Sequence, residues 1–311
     1  MTLTFGWRIP DFPVDGADSA QFRAQIFDYL DVIHGHFETA WAGDHFFPWM
    51  DTVDQTEATI EAFTTLTYML ARYPRLRGGS IVLSQGYRPP ALLAKMAANL
   101  QWLSGGRFIL GIGAGWKENE YRAYGYPFPS PGRRIAELEE AVQVIRKMWS
   151  EDAPTFHGKT YTIQDAYCFP RPAPAPPLLI GGHGRQKTLR VVAKYADMLN
   201  FNNCTVEEYR DLLEVVKGYC REIGRDPGEI IRTFSAECAA IAPTQAGVQR
   251  MLASSPFRQW DLIAGTPDEA ATRIQAYADL GVQHIILRFP DFPRPDAVEL
   301  FIKEVLPRYR E

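Results

Sequence analysis

The chain has 311 residues, of which 46% are hydrophobic and 23% charged, a composition typical of a globular protein with a sizeable core rather than a disordered one. The formal net charge of -4 argues against nucleic acid or an anionic membrane as the main partner. No apolar run approaches the ~18 residues of a membrane span, and the N-terminal segment lacks the pattern of a secretory signal. The four cysteines are too widely spaced for a CxxC metal or redox motif, which favours a reducing cytoplasm and predicts no metal site.

Short apolar segments alternate with amphipathic ones along the whole chain. The strand-like segments are residues 3–9, 38–43, 78–84, 107–113, 177–182, 197–201, 232–242 and 283–289. The helical patterns between them cover residues 20–35, 57–73, 90–106, 133–149, 186–196, 206–224, 267–281 and 296–309. Eight strand–helix repeats without a composition break predict a closed parallel barrel, a (β/α)8 TIM barrel in the α/β class. An open, doubly wound sheet is the structural alternative.

Local signals support these boundaries. Thr266 and Glu269 flank a proline in the pattern of an N-terminal capping box. Gly35, Gly224 and Gly281 each follow a helical pattern, where a left-handed C-terminal residue is expected.

The chain is about 60 residues longer than a typical barrel, and we expect insertions after strands 4 and 7. Residues 154–176 end in the stiff run PRPAPAPP, and residues 243–262 are poor in periodic pattern. With no composition break at either place, residues 1–311 are predicted to form a single domain.

The segment RFILGIGAGWKENE, residues 107–120, places alternating glycines after an apolar run. A dinucleotide-binding G-x-G-x-x-G loop needs a third glycine at the position of Trp116, and the residues that follow do not suit a long helix. A Rossmann fingerprint is therefore excluded, and Glu118, Asn119 and Glu120 are predicted to be polar loop residues.

In a (β/α)8 barrel, the functional groups lie at the carboxyl ends of the strands. Here those ends carry Trp7, Arg8, Asp44, His45, Ser84, Gln85, Gly113, Ala114, Gly115, Trp116, Gly181, Gly182, His183, Asn200, Glu237 and Arg288. The set is rich in glycine, poor in titratable groups and without a hydrolytic triad, which favours a site built for a cofactor that brings its own chemistry. Arg134, Glu139 and Glu140 are predicted to form a salt-bridge ladder along a helix instead.

The turn after the fifth strand predicts an anion site. Gly181 and Gly182 open it, and Arg185 and Lys187 follow at the start of a helix. Cations oppose the helix dipole there unless an anion such as a phosphate binds the free N–H groups of the turn. Solvated surface charge is the alternative explanation for each of the two cations.

Several long motifs resemble the bacterial luciferase-like superfamily, and especially its short, deazaflavin-using branch. They are WAGDHFFPW at 41–49, the segment SIVLSQGYRPP to YRAYG at 80–125, RRIAELEEAVQVIRKMW at 133–149, PPLLIGG to DMLNF at 176–201, and GTPDEAA to HIIL at 265–287. The resemblance implies a TIM barrel that holds F420, or alternatively FMN, across its mouth, and it suggests a homodimer. Gly111, Gly113 and Gly115 would then keep the fourth strand low, so that a flat ring can lie against the backbone.

The motif D-H-x3-W, formed by Asp44, His45 and Trp49, is similar to F420-dependent sugar-phosphate dehydrogenases, whose histidine and tryptophan are active-site residues. The resemblance implies that His45 is the acid or base, since an imidazole titrates near neutrality, and that Trp49 lines the substrate pocket. A surface histidine and plain packing are the alternatives. Those dehydrogenases carry a glutamate directly after the glycine motif, where this chain has Trp116, which argues against a sugar phosphate as substrate and against a His–Glu pair.

The resemblance also implies a set of cofactor-binding residues. A bulge with a non-prolyl cis peptide is expected at Ser80 and Ile81, and Asn119 matches a cofactor-contacting asparagine. The complete set is Asp44, Ser80, Ile81, Gly113, Ala114, Asn119, Gly181, Gly182, Arg185 and Lys187.

The leading hypothesis is a cytoplasmic F420-dependent oxidoreductase that transfers a hydride between the deazaflavin C5 and a small carbonyl, imine or activated alkene. The alternatives are an FMN-dependent monooxygenase, a non-catalytic flavin-binding protein, and a cofactor-free lyase or isomerase that uses the phosphate site alone.

Overall fold

The computed structural model describes residues 3–310, and its main sheet is a closed parallel barrel. The β segments are β1 (Thr4–Arg8), β2 (Thr39–Ala42), β3 (Arg77–Ser80), β4 (Leu83–Ser84), β5 (Phe108–Gly113), β6 (Phe156–His157), β7 (Thr162–Ile163), β8 (Leu178–Gly181), β9 (Met198–Asn202), β10 (Ile231–Ala236) and β11 (His284–Leu287). The short strands β6 and β7 form a separate antiparallel hairpin.

The barrel closes because β3 and β4 are two halves of one strand. Both halves pair with β5, at Gly78↔Phe108 and at Leu83↔Ile112, and β3 also pairs with β2. Around the barrel the order is β1, β2, β3 with β4, β5, β8, β9, β10, β11 and back to β1, and every pairing is parallel. The predicted eight-stranded (β/α)8 barrel is confirmed.

Helices cover the outside of the barrel. Within residues 3–310 they are α1 (Ser19–Ile33), α2 (Ala62–Arg72), α3 (Pro90–Leu103), α4 (Glu118–Ala123), α5 (Pro131–Ser150), α6 (Thr188–Tyr195), α7 (Val206–Glu222), α8 (Gln245–Ser254), α9 (Pro267–Ala278) and α10 (Asp296–Leu300). A π-helical turn (Phe301–Val305) and a 3-10 turn (Leu306–Tyr309) continue α10, and two further 3-10 turns span Pro227–Glu229 and Arg258–Trp260. Each of the eight predicted helical patterns contains a helix, whereas α4 and α8 were not predicted.

Side-chain caps decide where several helices begin. The pattern predicts α2 from residue 57, but the carboxylate of Glu61 accepts the N–H groups of Phe63 at 3.0 Å and Thr64 at 2.7 Å, so the helix begins at Ala62. The predicted capping box at the start of α9 is present. The three glycines expected at helix ends have positive φ angles of 93°, 70° and 82° at Gly35, Gly224 and Gly281.

The two expected insertions carry regular structure. After β5, the hairpin turn is held by the carboxylate of Glu140, which accepts the N–H groups of residues 159–161 at 2.9–3.0 Å. Glu140 is thus not part of a helix ladder as predicted. After β10, α8 begins at the Thr244 cap and packs Val248 into a small cluster with Phe257 and Phe12. This segment therefore lies against the loop that follows β1.

The barrel interior is filled by large apolar side chains, namely Trp41, Ile109, Leu179, Met198 and Ile286. Towards the amino ends of the strands lies His284, whose Nδ1 is 2.8 Å from Thr4 Oγ1 and whose Nε2 is 2.9 Å from Thr39 Oγ1. Burial lowers the pKa of His284 from 6.5 to about 3, so the ring is neutral in the folded protein. The amino-terminal end of the barrel is thus filled by a neutral, hydrogen-bonded polar group. Functional groups are expected at the opposite, carboxyl-terminal end of the strands.

Candidate active site

A cavity of about 370 Å³ opens at the carboxyl ends of the strands. Its walls are the ends of β2, β4, β5, β8, β9 and β10, together with the first turns of α5 and α6. Residues 81–84, 113–117 and 181–182 account for eleven of the residues that line it. This is the end of the barrel at which the strand ends predicted functional groups.

His45 follows β2, lines the cavity and is held by a buried carboxylate. Its Nδ1 lies 3.1 Å from Oε2 and 3.2 Å from Oε1 of Glu120, whose exposed fraction is 0%. The N–H of Phe46 donates to the same carboxylate at 2.8 Å. When Nδ1 donates to Glu120, Nε2 of the neutral ring carries the lone pair, and no hydrogen-bond partner occupies it among residues 3–310. The ring can therefore take or give a proton at Nε2.

Tyr87 completes the environment of Glu120 by donating its hydroxyl to Oε2 at 3.0 Å. Burial and the charge of Glu120 raise the pKa of Tyr87, so it stays a protonated donor. The sequence predicted a loop at residues 118–120, which is wrong because α4 forms there. Trp116 after the glycine motif argued against a His–Glu pair, but Glu120 on α4 supplies the carboxylate. Tyr121 and Tyr124, at helical spacing, were the available signal: Tyr121 is buried, and Tyr124 stacks on Phe46 with ring centroids 4.1 Å apart.

Two tryptophans lie beside His45. The ring centroid of Trp49 lies 6.1 Å from that of His45, and the centroid of Trp116 lies 5.8 Å from it. Trp49 is half-buried and donates its indole N–H to Asp11 at 3.2 Å, whereas Trp116 is 60% exposed. The structure thus places Trp49 beside His45 but not among the residues that line the cavity, and it adds Trp116, which lies near both rings and does line the cavity.

Asp44 lines the cavity but is committed to neighbouring groups. Its carboxylate accepts the N–H of Ser84 at 2.8 Å and both terminal nitrogens of Arg88 at 2.9 and 3.0 Å. Burial lowers the pKa of Arg88, but Asp44 and Glu61 raise it more, so the guanidinium keeps its charge. Asp44 therefore fixes the end of β4 to the end of β2.

The expected bulge lies between β3 and β4, and its cis peptide joins Ile81 to Val82, one residue later than predicted. Ile81 and Val82 line the cavity. Ser80 does not, because its hydroxyl is buried and bonds the backbone of Gly111, with Oγ 2.8 Å from the carbonyl oxygen and 2.9 Å from the nitrogen. Ser80 is thus a fixing point for the bulge rather than a cavity residue.

The glycines of β5 make room for this bulge. A Cβ on Gly111 would lie 1.9 Å from the carbonyl oxygen of Ser80, and one on Gly113 would lie 2.8 Å from a methyl group of Val82. The prediction that these glycines leave space directly for a flat ring is therefore wrong for Gly111, since the space belongs to the neighbouring strand. Gly113 and Ala114 do line the cavity.

The turn after β8 brings two helix N-termini to the cavity. Gly181, Gly182 and Thr188 line it, and neither α5 nor α6 has a side-chain cap. Lys187 reaches towards the start of α5, where its Nζ lies 2.9 Å from the position of a Cβ on Gly132. Uncapped N–H groups and a cation at the same place suit an anion.

Besides Ser80 and Lys187, two more of the predicted cofactor residues, Arg185 and Asn119, are not among the residues that line the cavity. Arg185 is half exposed and faces Asp211 on α7 at 3.9 Å, away from the residues that line the cavity. The Oδ1 atom of Asn119 accepts the N–H of Glu120 at 3.0 Å within the first turn of α4, and Asn119 does not line the cavity either. Arg134 does line it, contrary to the predicted ladder: it donates to the carbonyl groups of Gly115 and Pro129.

A buried cluster of four charges ties β1, β10 and β11 together beside the cavity. Arg8 donates to Asp11 at 3.0 Å, and Arg288 donates to Glu237 at 2.6 Å. Burial raises the pKa of Asp11, but Arg8 and Arg288 bring it below its usual value. Arg288 also lies under the ring of Phe257, 4.6 Å from its centroid. The two positive charges are thus matched by two carboxylates.

Asn200 on β9 offers a fixed donor. Its Oδ1 accepts the hydroxyls of Thr233 at 2.8 Å and Ser235 at 3.0 Å, so its Nδ2 is the atom left for the cavity that it lines.

No group of three or more His, Cys, Asp or Glu side chains in residues 3–310 could hold a metal ion. No helix in the same range has the length and apolar character needed to cross a membrane.

Comparison with known proteins adds family information to this geometry. The sequence model of the family described as luciferase-like monooxygenase matches residues 34–261. An F420-dependent glucose-6-phosphate dehydrogenase from Kineococcus radiotolerans is 30% identical over 311 aligned residues, which cover 88% of this chain and 89% of that protein.

Two solved structures share the fold. An F420-dependent secondary alcohol dehydrogenase, in complex with an F420-acetone adduct, has a TM-score of 0.82 and 21% identity, with 100% of both chains covered. EDTA monooxygenase from Chelativorans sp. BNC1 also has a TM-score of 0.82, at 18% identity, with 100% of this chain and 94% of that chain covered.

Proposed function

Because the chain belongs to the luciferase-like monooxygenase family, we propose that it is an F420-dependent oxidoreductase acting on a small carbonyl, imine or activated alkene, or on the corresponding reduced compound. The name of the Kineococcus relative supports F420 as the cofactor. The observation that carries the proposal is the His45–Glu120 pair, which leaves Nε2 of His45 free at the cavity.

The residues present fit such a cofactor. Ile81, Val82 and the small residues 113–115 line the cavity, and the small size of residues 113–115 would let a flat ring approach the backbone there. The uncapped starts of α5 and α6, together with Lys187, suit a phosphate. When bound, F420 supplies or accepts the hydride at its ring carbon C5.

His45 handles the proton in this scheme. As the imidazolium, Nε2 donates to the oxygen or nitrogen on which negative charge develops during reduction; as the neutral ring, it accepts the proton in the reverse direction. Glu120 holds the Nδ1–H tautomer and stabilises the charged ring, and Tyr87 and the N–H of Phe46 keep Glu120 in place. Asn200 offers a second donor to a polar group in the cavity.

Trp49 is proposed to line the substrate space beside His45, and Asp44 to position the bulge through Ser84. The single domain, the homodimer and the cytoplasmic location stay predictions.

Equilibrium binding of F420 and FMN, each oxidised and reduced, tests the proposal. We expect F420 to bind more tightly than FMN, measured by quenching of cofactor fluorescence. Micromolar FMN binding without detectable F420 binding would contradict the proposal and favour the monooxygenase alternative. If neither cofactor binds, both the proposed function and the monooxygenase alternative are contradicted.

A further inference from the structure

The wall of the cavity around His45 is aromatic and incompletely covered. We use the name aromatic wall for the rings of His45 and Trp116, which line the cavity, and of Trp49, which lies beside both of them. The centroids of Trp49 and Trp116 are 6.5 Å apart, and Trp260 extends the surface behind Trp49 at 5.9 Å. Trp116 lines the cavity and leaves 60% of its surface exposed. Such a ring offers apolar area that a ligand can cover.

The same region has little to offer a phosphate group. Lys117 and Arg134 are the basic side chains that line the cavity among the described residues, apart from His45. Lys117 is bound to Asp51 at 2.8 Å. Arg134 lies at the opposite side of the glycine motif, where carbonyl groups and the ring of Phe128 hold it.

Two further arginines lie close to this region, but they are neutralised and covered. Arg8 and Arg288 face the carboxylates of Asp11 and Glu237, and Phe257 covers Arg288. One terminal nitrogen of each guanidinium has no hydrogen-bond partner, yet both atoms are buried and neither arginine lines the cavity. Glu237 does line it, so a dianion would meet a carboxylate before it met either guanidinium.

The barrel order separates most of the aromatic wall from the start of α6. His45 and Trp49 follow β2 and Trp116 follows β5, whereas α6 follows β8, three strands round from β2. The start of α5 lies in the same connection as Trp116. The start of α6, next to Lys187, is therefore the place that best suits the cofactor phosphate. The features next to His45 suit an uncharged ligand.

We infer that the substrate of this enzyme is an uncharged, apolar or aromatic carbonyl compound or the matching alcohol, bound against Trp49 and Trp116, and not a phosphorylated sugar. The inference rests on the proposed function, because it assigns the substrate for the same His45 site. Trp116 is the residue that selects this class, since its exposed ring is the largest uncovered apolar surface beside His45.

Calorimetric titration tests the inference with acetophenone as the aryl ketone and glucose 6-phosphate as the phosphorylated sugar. Each is added to the full chain with and without bound F420, for wild type, Trp116→Ala and Trp102→Ala. Trp102 on α3 is the matched control, because it is 64% exposed and does not line the cavity. We expect acetophenone to bind more tightly than the sugar phosphate. Trp116→Ala should weaken acetophenone binding about tenfold, and Trp102→Ala should leave it unchanged.

Three results would overturn the inference: tighter, salt-sensitive binding of glucose 6-phosphate, equal acetophenone affinity in wild type and Trp116→Ala, or no acetophenone binding at all. F420 affinity, measured on the same samples, distinguishes a wrong substrate class from a wrong proposed function. Normal F420 binding with any of these results refutes only the substrate class. Absence of F420 binding refutes the proposed function.

Discussion

Replacing Glu120 by glutamine tests whether the buried pair drives proton transfer. The Glu120→Gln amide oxygen can still accept the N–H of Phe46, but an amide NH₂ then faces His45 Nδ1 or the hydroxyl of Tyr87. Donation to Nδ1 moves the ring proton to Nε2, which removes the base from the cavity side, and the charged ring loses its counter-ion. Such a change keeps the shape of the site and alters only its charge and tautomer.

The expected size follows from the bond that is lost. A hydrogen bond to a charged group contributes about 1.5–3 kcal/mol, which corresponds to roughly a 10- to 100-fold slower chemical step. His45→Ala removes the proton carrier itself and should cost about 10²–10⁴-fold. Cofactor affinity should change little in either variant, since neither side chain belongs to the proposed ring or phosphate contacts.

Single-turnover reduction or oxidation of bound F420, followed by absorbance at saturating substrate, measures the effect. Glu118→Gln is the matched control, because Glu118 lies on the same helix, exposed, and bonds only Arg122 among the described residues. Thermal unfolding of each variant checks that the fold is intact. A Glu120→Gln rate within threefold of wild type, in a folded protein, would show that the pair does not assist the reaction.

Three further results are expected. Lys187→Gln should weaken F420 binding about tenfold in a salt-dependent manner, measured by fluorescence titration at two ionic strengths. Lys194→Gln is the control and should not weaken binding, because Lys194 is paired with Glu139. Equal F420 affinities of the two variants would assign Lys187 to the solvated surface. The free energy of unfolding of wild type should fall as the pH falls from 6.5 towards 3, because His284 is protonated in the unfolded chain before it is protonated in the folded one. In denaturant titrations, His284→Gln should reduce the dependence of this free energy on pH by about 1.4 kcal/mol per pH unit. An unchanged pH dependence would contradict the buried neutral ring. Burial raises the pKa of Asp291 from 3.8 to about 6, so its contribution to stability is complete below pH 3.8 and is lost as the pH rises through 6. The free energy of unfolding of Asp291→Asn should therefore rise by about 3 kcal/mol relative to that of wild type between pH 4 and 7. A difference between the two proteins that does not change with pH would refute this.

The sequence predicted the barrel well because hydrophobic periodicity is a local property of each strand and helix. All eight strand segments and all eight helical patterns correspond to elements of the structure. The boundary of α2 was missed because one side chain, Glu61, caps the helix against the pattern. The helix α4 was missed because six residues carry too little periodicity to stand out from a loop.

The site was harder to predict from the sequence than the barrel, because its key contacts join segments that are distant in the chain. His45 and Glu120 are 75 residues apart, and nothing local to either indicates the other. Asp44 and Ser80 were assigned to the cofactor by resemblance, although one is bound to Arg88 and the other to Gly111. Arg185 illustrates a different limit: helix-dipole arguments identify the turn that suits an anion but not the direction in which a long side chain points.

The contact between Gly111 and the bulge has a consequence for how this barrel can change over time. A side chain at position 111 would collide with the carbonyl oxygen of Ser80, so the tolerance for any other residue at 111 depends on the path of the neighbouring strand. Glycine at position 111 and the bulge between Ser80 and Leu83 are therefore expected to co-vary among related sequences. A lineage that straightens the strand between Ser80 and Leu83 releases position 111 for larger residues. Once such a residue is fixed, the bulge cannot return without first restoring glycine.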